Sequence, residues 1–291
     1  MLEISTIFAK KKHPMKILIT NDDGYDRGGL KVLERVVRRF GEVVCVAPKC
    51  AQSGMSLAVT MGYRPIAVKR LDANHWYLDG TPASCVKYGI DNIFLPRGEK
   101  PDLIVSGVNY GANYATAALY SGTVGAAMEG AINGIPSIAV SIDDFSRDAD
   151  FSAVEELLPG VIEKLLRRIQ SPDYNPDVFF NVNFPKLPSS AIKGVKATRM
   201  GFAHWEREYQ EYDAEMILRE KGFRAPEEHL RLIRDAQPGE EFYVMIGDFT
   251  DEPRNTSESD HRAVGEGLIS VTAHSIDNSV DDEKSKLENI L

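Results

Sequence analysis

Positive charge is scarce in this chain. Its 291 residues carry 34 lysines and arginines against 43 aspartates and glutamates, a net charge of −9. That balance argues against general affinity for nucleic-acid backbones or anionic membrane surfaces. A small anionic substrate stays open, because a bound metal can reverse the local field. Cysteine is also sparse. Cys45, Cys50 and Cys85 are odd in number and no pair has CxxC spacing, which argues against a disulfide framework or a zinc site. Cys45 falls in an apolar strand pattern and Cys85 in a helical one, so both read as packing residues, and a reducing cytoplasm is the expected setting. No apolar run approaches membrane-spanning length. The six histidines include no HExxH, and neither GxGxxG nor a Walker A sequence occurs, which counts against a zincin helix and the common glycine-rich nucleotide loops. There is no internal repeat and no low-complexity segment.

What is present is ordinary for a globular protein: 43% hydrophobic and 26% charged residues, enough for a core of normal size. Residues 1–14 hold a short apolar patch followed by Lys10-Lys-Lys-His-Pro14. A signal peptide runs in the opposite order, basic then apolar. The stretch reads as an N-terminal extension without a role, with Met15 as a candidate natural start.

From Met15 the pattern alternates. Ile17, Leu18 and Ile19 read as a buried strand. Leu30, Leu33, Val36, Val37 and Phe40 have helical spacing, stopped by Gly41. Glu42–Pro48 is a second strand, so the first unit is βαβ with a right-handed crossover. After a polar loop at 49–62 come short β segments near 65–71 and 75–79. Thr81-Pro82 suits a helix start. Further strands are expected at 102–107, 137–141 and 178–183. Between them lie a helix of small residues from Val124 to Ala131 and an amphipathic helix over 151–169. This alternation predicts an α/β fold: a Rossmann-like, three-layer, mostly parallel sheet with helices on both faces. Beyond about 190 the alternation fades. The expected organisation is an α/β catalytic core over 15–190, followed by a β-rich region over 191–291 that could form an arm packing on another subunit and ends in a solvated acidic tail near Asp281.

One stretch stands out. The first strand ends abruptly in Asn21-Asp22-Asp23-Gly24. Open α/β sheets bind ligands at the carboxyl ends of their strands. Two adjacent carboxylates repel unless a positive charge lies between them, and a divalent cation is the simplest one. A solvated turn rich in Asn, Asp and Gly is the plainer reading. Three other turns should converge on the same edge: Gln52-Ser-Gly54, Ser106-Gly-Val-Asn-Tyr-Gly-Ala-Asn113 and Tyr120-Ser-Gly-Thr123. Together they offer oxygen donors without Cys or His, which suits Mg²⁺, Mn²⁺ or Ca²⁺ and argues against zinc or copper. Ser121-Gly122-Thr123 ahead of a helix is either an ordinary cap or, beside the acid pair, a phosphate cradle. Asp143-Asp144 also follows a strand but has no anion turn beside it, and reads as a solvated loop.

These segments resemble the SurE family of 5′/3′-nucleotidases. The resemblance is carried by NDDG at 21–24, AP at 47–48, SG at 53–54, GTP at 80–82, SGxNxGxN at 106–113 and YSGTVGAAMEG at 120–130. NVNFP at 181–185, Ser259-Asp260 with Ala263-Val264, and GLISVT at 267–272 extend it. It covers roughly 15–275. The resemblance implies one divalent cation per subunit, Mg²⁺ or Mn²⁺, held by Asp22, Asp23, Ser53 and Asn109. It implies a phosphate held by Asn113, Ser121, Gly122 and Thr123. It also implies a homodimer or homotetramer with exchanged C-terminal segments. Two departures stand out. Lys49-Cys-Ala-Gln52 replaces a run that often contains arginine, so a positive group near the substrate is missing or moved. Ala83-Ser84 follows GTP where an acidic residue is common.

The expected activity is therefore metal-dependent hydrolysis of nucleoside 5′- and 3′-monophosphates, with Asp22, Asp23 and Asn109 catalytic. Asp22 as a nucleophile is an alternative chemistry. A non-catalytic nucleotide or phosphate sensor is the rival class. A kinase-phosphorylated receiver domain is disfavoured by length and by Ser106-Gly107 standing where its acceptor aspartate would be.

Overall fold

Met15–Thr20 (β1), Gly41–Pro48 (β2), Leu103–Tyr110 (β5), Ser137–Ile142 (β6) and Val178–Phe184 (β7) form the parallel heart of one sheet. We describe it from a computed structural model, in which the described residues are 14–291 apart from 147, 222–224, 226, 289 and 291. Apart from Pro14, the expected N-terminal extension lies outside the described residues. Val68–Arg70 (β3) and His75–Leu78 (β4) add one edge. Val195–Thr198 (β8) and Ile269–Ser275 (β13) add the other. The order is β3-β4-β2-β1-β5-β6-β7-β13-β8. β3 runs antiparallel to β4, and β13 antiparallel to β7. The expected α/β class and mostly parallel sheet are thus observed, and the two antiparallel pairings close the parallel run on either side.

The sheet is covered on both faces because its strands bury both. Ile17 and Ile19 of β1 join one core with Leu30, Leu33, Val36 and Val37 of Gly28–Val37 (α1) and Val154, Leu158, Ile162 and Leu165 of Ser152–Ile169 (α4). Leu18, between them, turns to the other face and packs with Cys85 and Val86 of Pro82–Tyr88 (α2) and Ala126 of Gly122–Ile132 (α3). The period-two alternation of a strand sends neighbouring side chains to opposite layers. Thr81 caps α2, its hydroxyl accepting the Ser84 N–H at 3.3 Å, with Pro82 in the first turn.

Close contacts dictate glycine at specific points. A Cβ on Gly29 would stand 2.0 Å from the Val108 carbonyl oxygen, so α1 crosses β5 at backbone contact distance. A Cβ on Gly125 would stand 1.9 Å from the Ser56 carbonyl oxygen, which lets the 49–62 loop lie directly on α3.

The chain divides into two compact units, one running to Gly201 and resuming at Asn255, the other Phe202–Arg254. The segment beyond 190 therefore supplies β8, β13 and Asp260–Gly265 (α7) to the first unit. The second unit pairs Ala203–Glu206 (β9) with Asp248–Asp251 (β12), and Tyr209–Glu211 (β10) with Tyr243–Met245 (β11), both antiparallel. It also holds two helices, Ala214–Lys221 (α5) and Glu227–Arg234 (α6), within the stretch expected to be β-rich. Each is little more than two turns, too short for a period to stand out. The start signal was there: Asp213 accepts the N–H groups of Glu215 and Met216 at 2.9 and 3.0 Å. The acidic C-terminal run is a helix, Asp281–Glu288 (α8), exposed on every residue.

Two glycine substitutions test this packing in opposite directions. Gly29→Ala should destabilise the protein by about 1–3 kcal/mol, because the methyl group has backbone, not a mobile side chain, in its way. Gly160→Ala in α4, where a Cβ meets nothing within 4 Å, should stabilise by roughly 0.5–1 kcal/mol. Urea melts of both variants check the pair.

Candidate active site

The strand order reverses between β1 and β5. From β1 the chain passes through α1 to β2 on one side, whereas β5 lies on the other. At such a switch point the loops leaving the two strands diverge and open a crevice. The loop leaving β1 is Asn21–Arg27, and the loop leaving β5 begins at Gly111. The acid pair and the SGxNxGxN turn therefore meet at one place.

Asn21 shapes the first loop. Its amide accepts the Gly24 N–H at 3.3 Å and donates to the Gly24 carbonyl at 3.0 Å, with Gly24 at φ +116°. This closes a tight turn that aims Asp22 and Asp23 differently. Asp22 is buried and reaches the N-terminus of α3. Its Oδ1 accepts the Thr123 hydroxyl at 2.6 Å and its Oδ2 the Thr123 N–H at 3.2 Å. Ser121 caps the same helix, its hydroxyl accepting the Val124 N–H at 3.2 Å. A Cβ on Gly122 would lie 3.0 Å from the Asp22 Cβ and 3.2 Å from the Gln52 carbonyl oxygen. Glycine is what lets these three loops touch.

Asp23 takes the other direction. The nearby Tyr110 backbone amide favours its charged form, yet its Oδ2 is buried with no hydrogen-bond partner in the described structure. Burial, and then the neighbouring Asp22, push its pKa up to about 7. Burial also raises Asp22, against the hydrogen bonds from Thr123. A buried carboxylate oxygen without a donor is costly. The donor set around it is oxygen-based. A hard divalent cation fits these residues.

The remaining expected residues are placed as follows. The Asn109 amide donates to the Gly111 carbonyl at 2.7 Å, on the strand end next to Tyr110. Ser53 is exposed, but the loop carrying it is tied in. The Gln52 N–H donates to the Asp22 carbonyl at 2.7 Å, and the Ser56 N–H to the Tyr120 carbonyl at 2.9 Å. Asn113 is buried, its amide donating to the Ser141 hydroxyl at 2.9 Å, which leaves its amide oxygen and second N–H. The turns holding Asp22, Gln52 and Ser121–Thr123 are thus brought together by direct hydrogen bonds, and Asp23 lies by the Tyr110 backbone at the end of β5. One detail differs from a simple phosphate cradle: the N–H and hydroxyl of Thr123 are both engaged by Asp22.

Two features escaped sequence reading. Asn181 and Asn183 of β7 hold the Asn113 backbone. Asn183 Oδ1 accepts its N–H at 2.7 Å, and both amides donate to its carbonyl at 2.6 and 3.2 Å. Their signal was two polar residues at period two in an otherwise apolar strand. Asp143-Asp144 is the second, and it corrects the expectation of a solvated loop. Asp144 is buried, bonded to Lys186 at 3.0 Å and to the Ser146 hydroxyl at 2.6 Å. Asp143 accepts the Tyr114 hydroxyl at 3.4 Å.

Fold and site together define a Rossmann-like α/β protein with an acidic, oxygen-lined crevice at its switch point. The family model described as Survival protein SurE matches residues 17–207, and the chain belongs to that family. It is 35% identical to a protein named 5′-nucleotidase SurE from Christiangramia forsetii, over 90% of each chain. It is 37% identical to one of the same name from Caulobacter vibrioides, over 95% of this chain and 96% of the other. The crystal structure of SurE protein from Aquifex aeolicus superposes with a TM-score of 0.73 at 30% identity, covering 94% of this chain and 99% of that one.

The electrostatics predict a pH signature for metal-free protein. A carboxyl whose folded pKa lies above its unfolded value binds more protons when folded, so stability falls as pH rises from about 4 to 7. Asp23→Asn should flatten that slope and raise the Tm in EDTA at pH 7, at about 2–4 °C for each 1 kcal/mol recovered. Thermal melts across pH 4–8 of both proteins read it directly.

Proposed function

We propose that this chain is a divalent-metal-dependent nucleotidase that hydrolyses nucleoside 5′- and 3′-monophosphates to nucleoside and phosphate. The observation that carries the reading is the buried Asp22 beside the half-buried Asp23, whose Oδ2 is buried and unpartnered, at the sheet's switch point next to a helix N-terminus. Relatives named as 5′-nucleotidases over nearly the whole chain support it. Asp22, Asp23, Ser53 and Asn109 would hold one Mg²⁺ or Mn²⁺ ion. When bound, such an ion neutralises phosphate charge and acidifies a water.

The chain's own groups do the rest. Asp22 has both oxygens engaged by Thr123, which favours a holding role over a nucleophilic one. Asp23 keeps an oxygen free to orient an attacking water. In-line attack spreads negative charge over the outer phosphate oxygens. The free donor of Asn113 would meet that charge as a preorganised dipole. Asn109 would offer its amide oxygen to the cation, since its N–H groups bond the Tyr110 and Gly111 carbonyls, and the α3 N-terminus would add its dipole behind Asp22. Thr123 contributes indirectly, by fixing Asp22 against the helix.

The reading extends to assembly and setting. We infer a homo-oligomer, a dimer or tetramer with exchanged C-terminal segments. Exposed Trp205, Tyr209, Tyr243 and Met245 in the second unit suit an arm that packs on another subunit. Cys45, Cys50 and Cys85 are all unpaired thiols, in keeping with a reducing cytoplasm. Among the described residues no helix is long and apolar enough to cross a membrane.

Phosphate release from AMP, GMP and β-glycerophosphate with Mg²⁺ or Mn²⁺, and in EDTA, tests the function. Asp22→Asn should lower kcat by about a hundredfold or more, as expected for losing a charged electrostatic element, with the fold retained. Wild-type protein without metal-dependent release on any substrate would overturn the reading. Direct attack by water leaves no phosphate on the protein: acid quench during turnover of AMP labelled in its phosphate should trap no acyl phosphate. A hydroxylamine-sensitive aspartyl-phosphate trapped at Asp22 would make that aspartate the nucleophile.

A further inference from the structure

Asp260 has no part in the chemistry described so far, yet it is a fully buried carboxylate far along the chain. Both its oxygens accept the Ala115 N–H, at 3.1 and 3.0 Å. Its Oδ1 also accepts the N–H groups of Gly201 and His261, each at 2.9 Å. No lysine or arginine pairs with it among the ion pairs of the described residues. The His261 ring nitrogen Nδ1 stands 3.5 Å from Oδ1, and the hydrogen bonds that hold the carboxylate come from backbone donors.

The residue it grips is unusual. Ala115 sits at φ +46°, a left-handed conformation that a residue with a Cβ keeps only when its surroundings impose it. Ala115 lies two residues after Asn113 and opens the short 3₁₀ segment Ala115–Leu119 that leads to Ser121. The loop between β5 and α3 is thus hung from two sets of hooks. Asn181 and Asn183 hold it at Asn113, and Asp260 holds it at Ala115. Releasing Ala115 to a negative φ would rotate the 114–115 peptide and carry Asn113 with it.

We propose that Asp260 is a positioning residue for the reaction: by clamping Ala115 in its left-handed conformation it sets Asn113, and the approach to Ser121, in catalytic register. The inference rests on the nucleotidase reading above, with Asn113 as a phosphate ligand.

Asp260→Asn tests it. The amide leaves one acceptor oxygen for three backbone donors and sets an N–H against one of them. At 25 °C on folded protein, kcat for AMP with Mn²⁺ should fall about 10–100-fold while KM stays within about threefold, as expected for a misplaced group that acts in the transition state. A double-mutant cycle with Asn113→Ala supplies the readout that a merely structural role would not move. In the Asp260→Asn background, removing Asn113 should cost much less than it does in the wild type. Full additivity, or a folded Asp260→Asn protein with wild-type kcat, overturns the proposal.

If Asp260→Asn fails to fold, Gly201→Ala decides instead. Its Cβ would stand 2.4 Å from His261 Nδ1 and 3.2 Å from Asp260 Oδ1, displacing the carboxylate without removing it. It should lower kcat with KM held, and wild-type kcat there sinks the inference. Wild-type protein inert towards AMP removes the nucleotidase reading as well as this one. An active wild type matched by its variants removes this one alone.

Discussion

Asp22 joins the first strand of the sheet to the first turn of α3 through its two bonds to Thr123, and the crevice is built around that joint. A carboxylate at a helix N-terminus is stabilised by free N–H groups and the helix dipole. That stabilisation lets one member of an adjacent acid pair be buried with its hydrogen-bonding capacity met. Its partner then bears the imbalance. Asp23 sits beside the same charge, largely desolvated, with one oxygen unpartnered. The pair is therefore asymmetric: both oxygens of one carboxylate are bonded to the helix, while the other keeps an unpartnered oxygen. A cation bound there would be held by a rigid element on one side and meet an under-satisfied oxygen on the other.

The asymmetry needs backbone to come very close. Gly122 lies against Asp22 and Gln52, and Gly125 against Ser56. The Gln52 N–H on the Asp22 carbonyl and the Ser56 N–H on the Tyr120 carbonyl lock the same three loops. Active-site loops normally carry mobility. Here each is tied to another loop or to the sheet by backbone hydrogen bonds, which preorganises the donors facing the crevice.

Behind the crevice the sheet face is polar. Ser141 of β6 and Asn181 and Asn183 of β7 line the place where Asn113 docks. Further along, Thr198 and Thr272 share a 2.8 Å hydrogen bond. Buried amides placed this way replace apolar packing with fixed hydrogen bonds, which sets one loop conformation at the expense of generic hydrophobic stabilisation. Asp260 extends the same device from the far end of the chain. Residues that touch the crevice and residues that hold it are drawn from every part of the first unit.

Much of this was legible in the linear chain. The period-two and helical patterns mark the strands and helices from Met15 to Phe184. The NDDG break and the turns at 52–54, 106–113 and 120–123 mark the crevice, because strand ends in an alternating βα chain must fall on one edge. Where the reading failed, the chain held no local signal strong enough to decide. α5 and α6 are too short to show a period, and Asp144 looks solvated until Lys186 arrives from a segment 42 residues away. Thr123 could have served a phosphate or a cap, and only the approach of Asp22 settles where its N–H and hydroxyl point. The roles of Asn181, Asn183 and Asp260 were hidden for the same reason. Local propensity and spacing specify which elements form and which edge gathers the polar turns. Which buried donor meets which buried acceptor depends on contacts between segments distant in the chain, and those exist only once the sheet has closed around them.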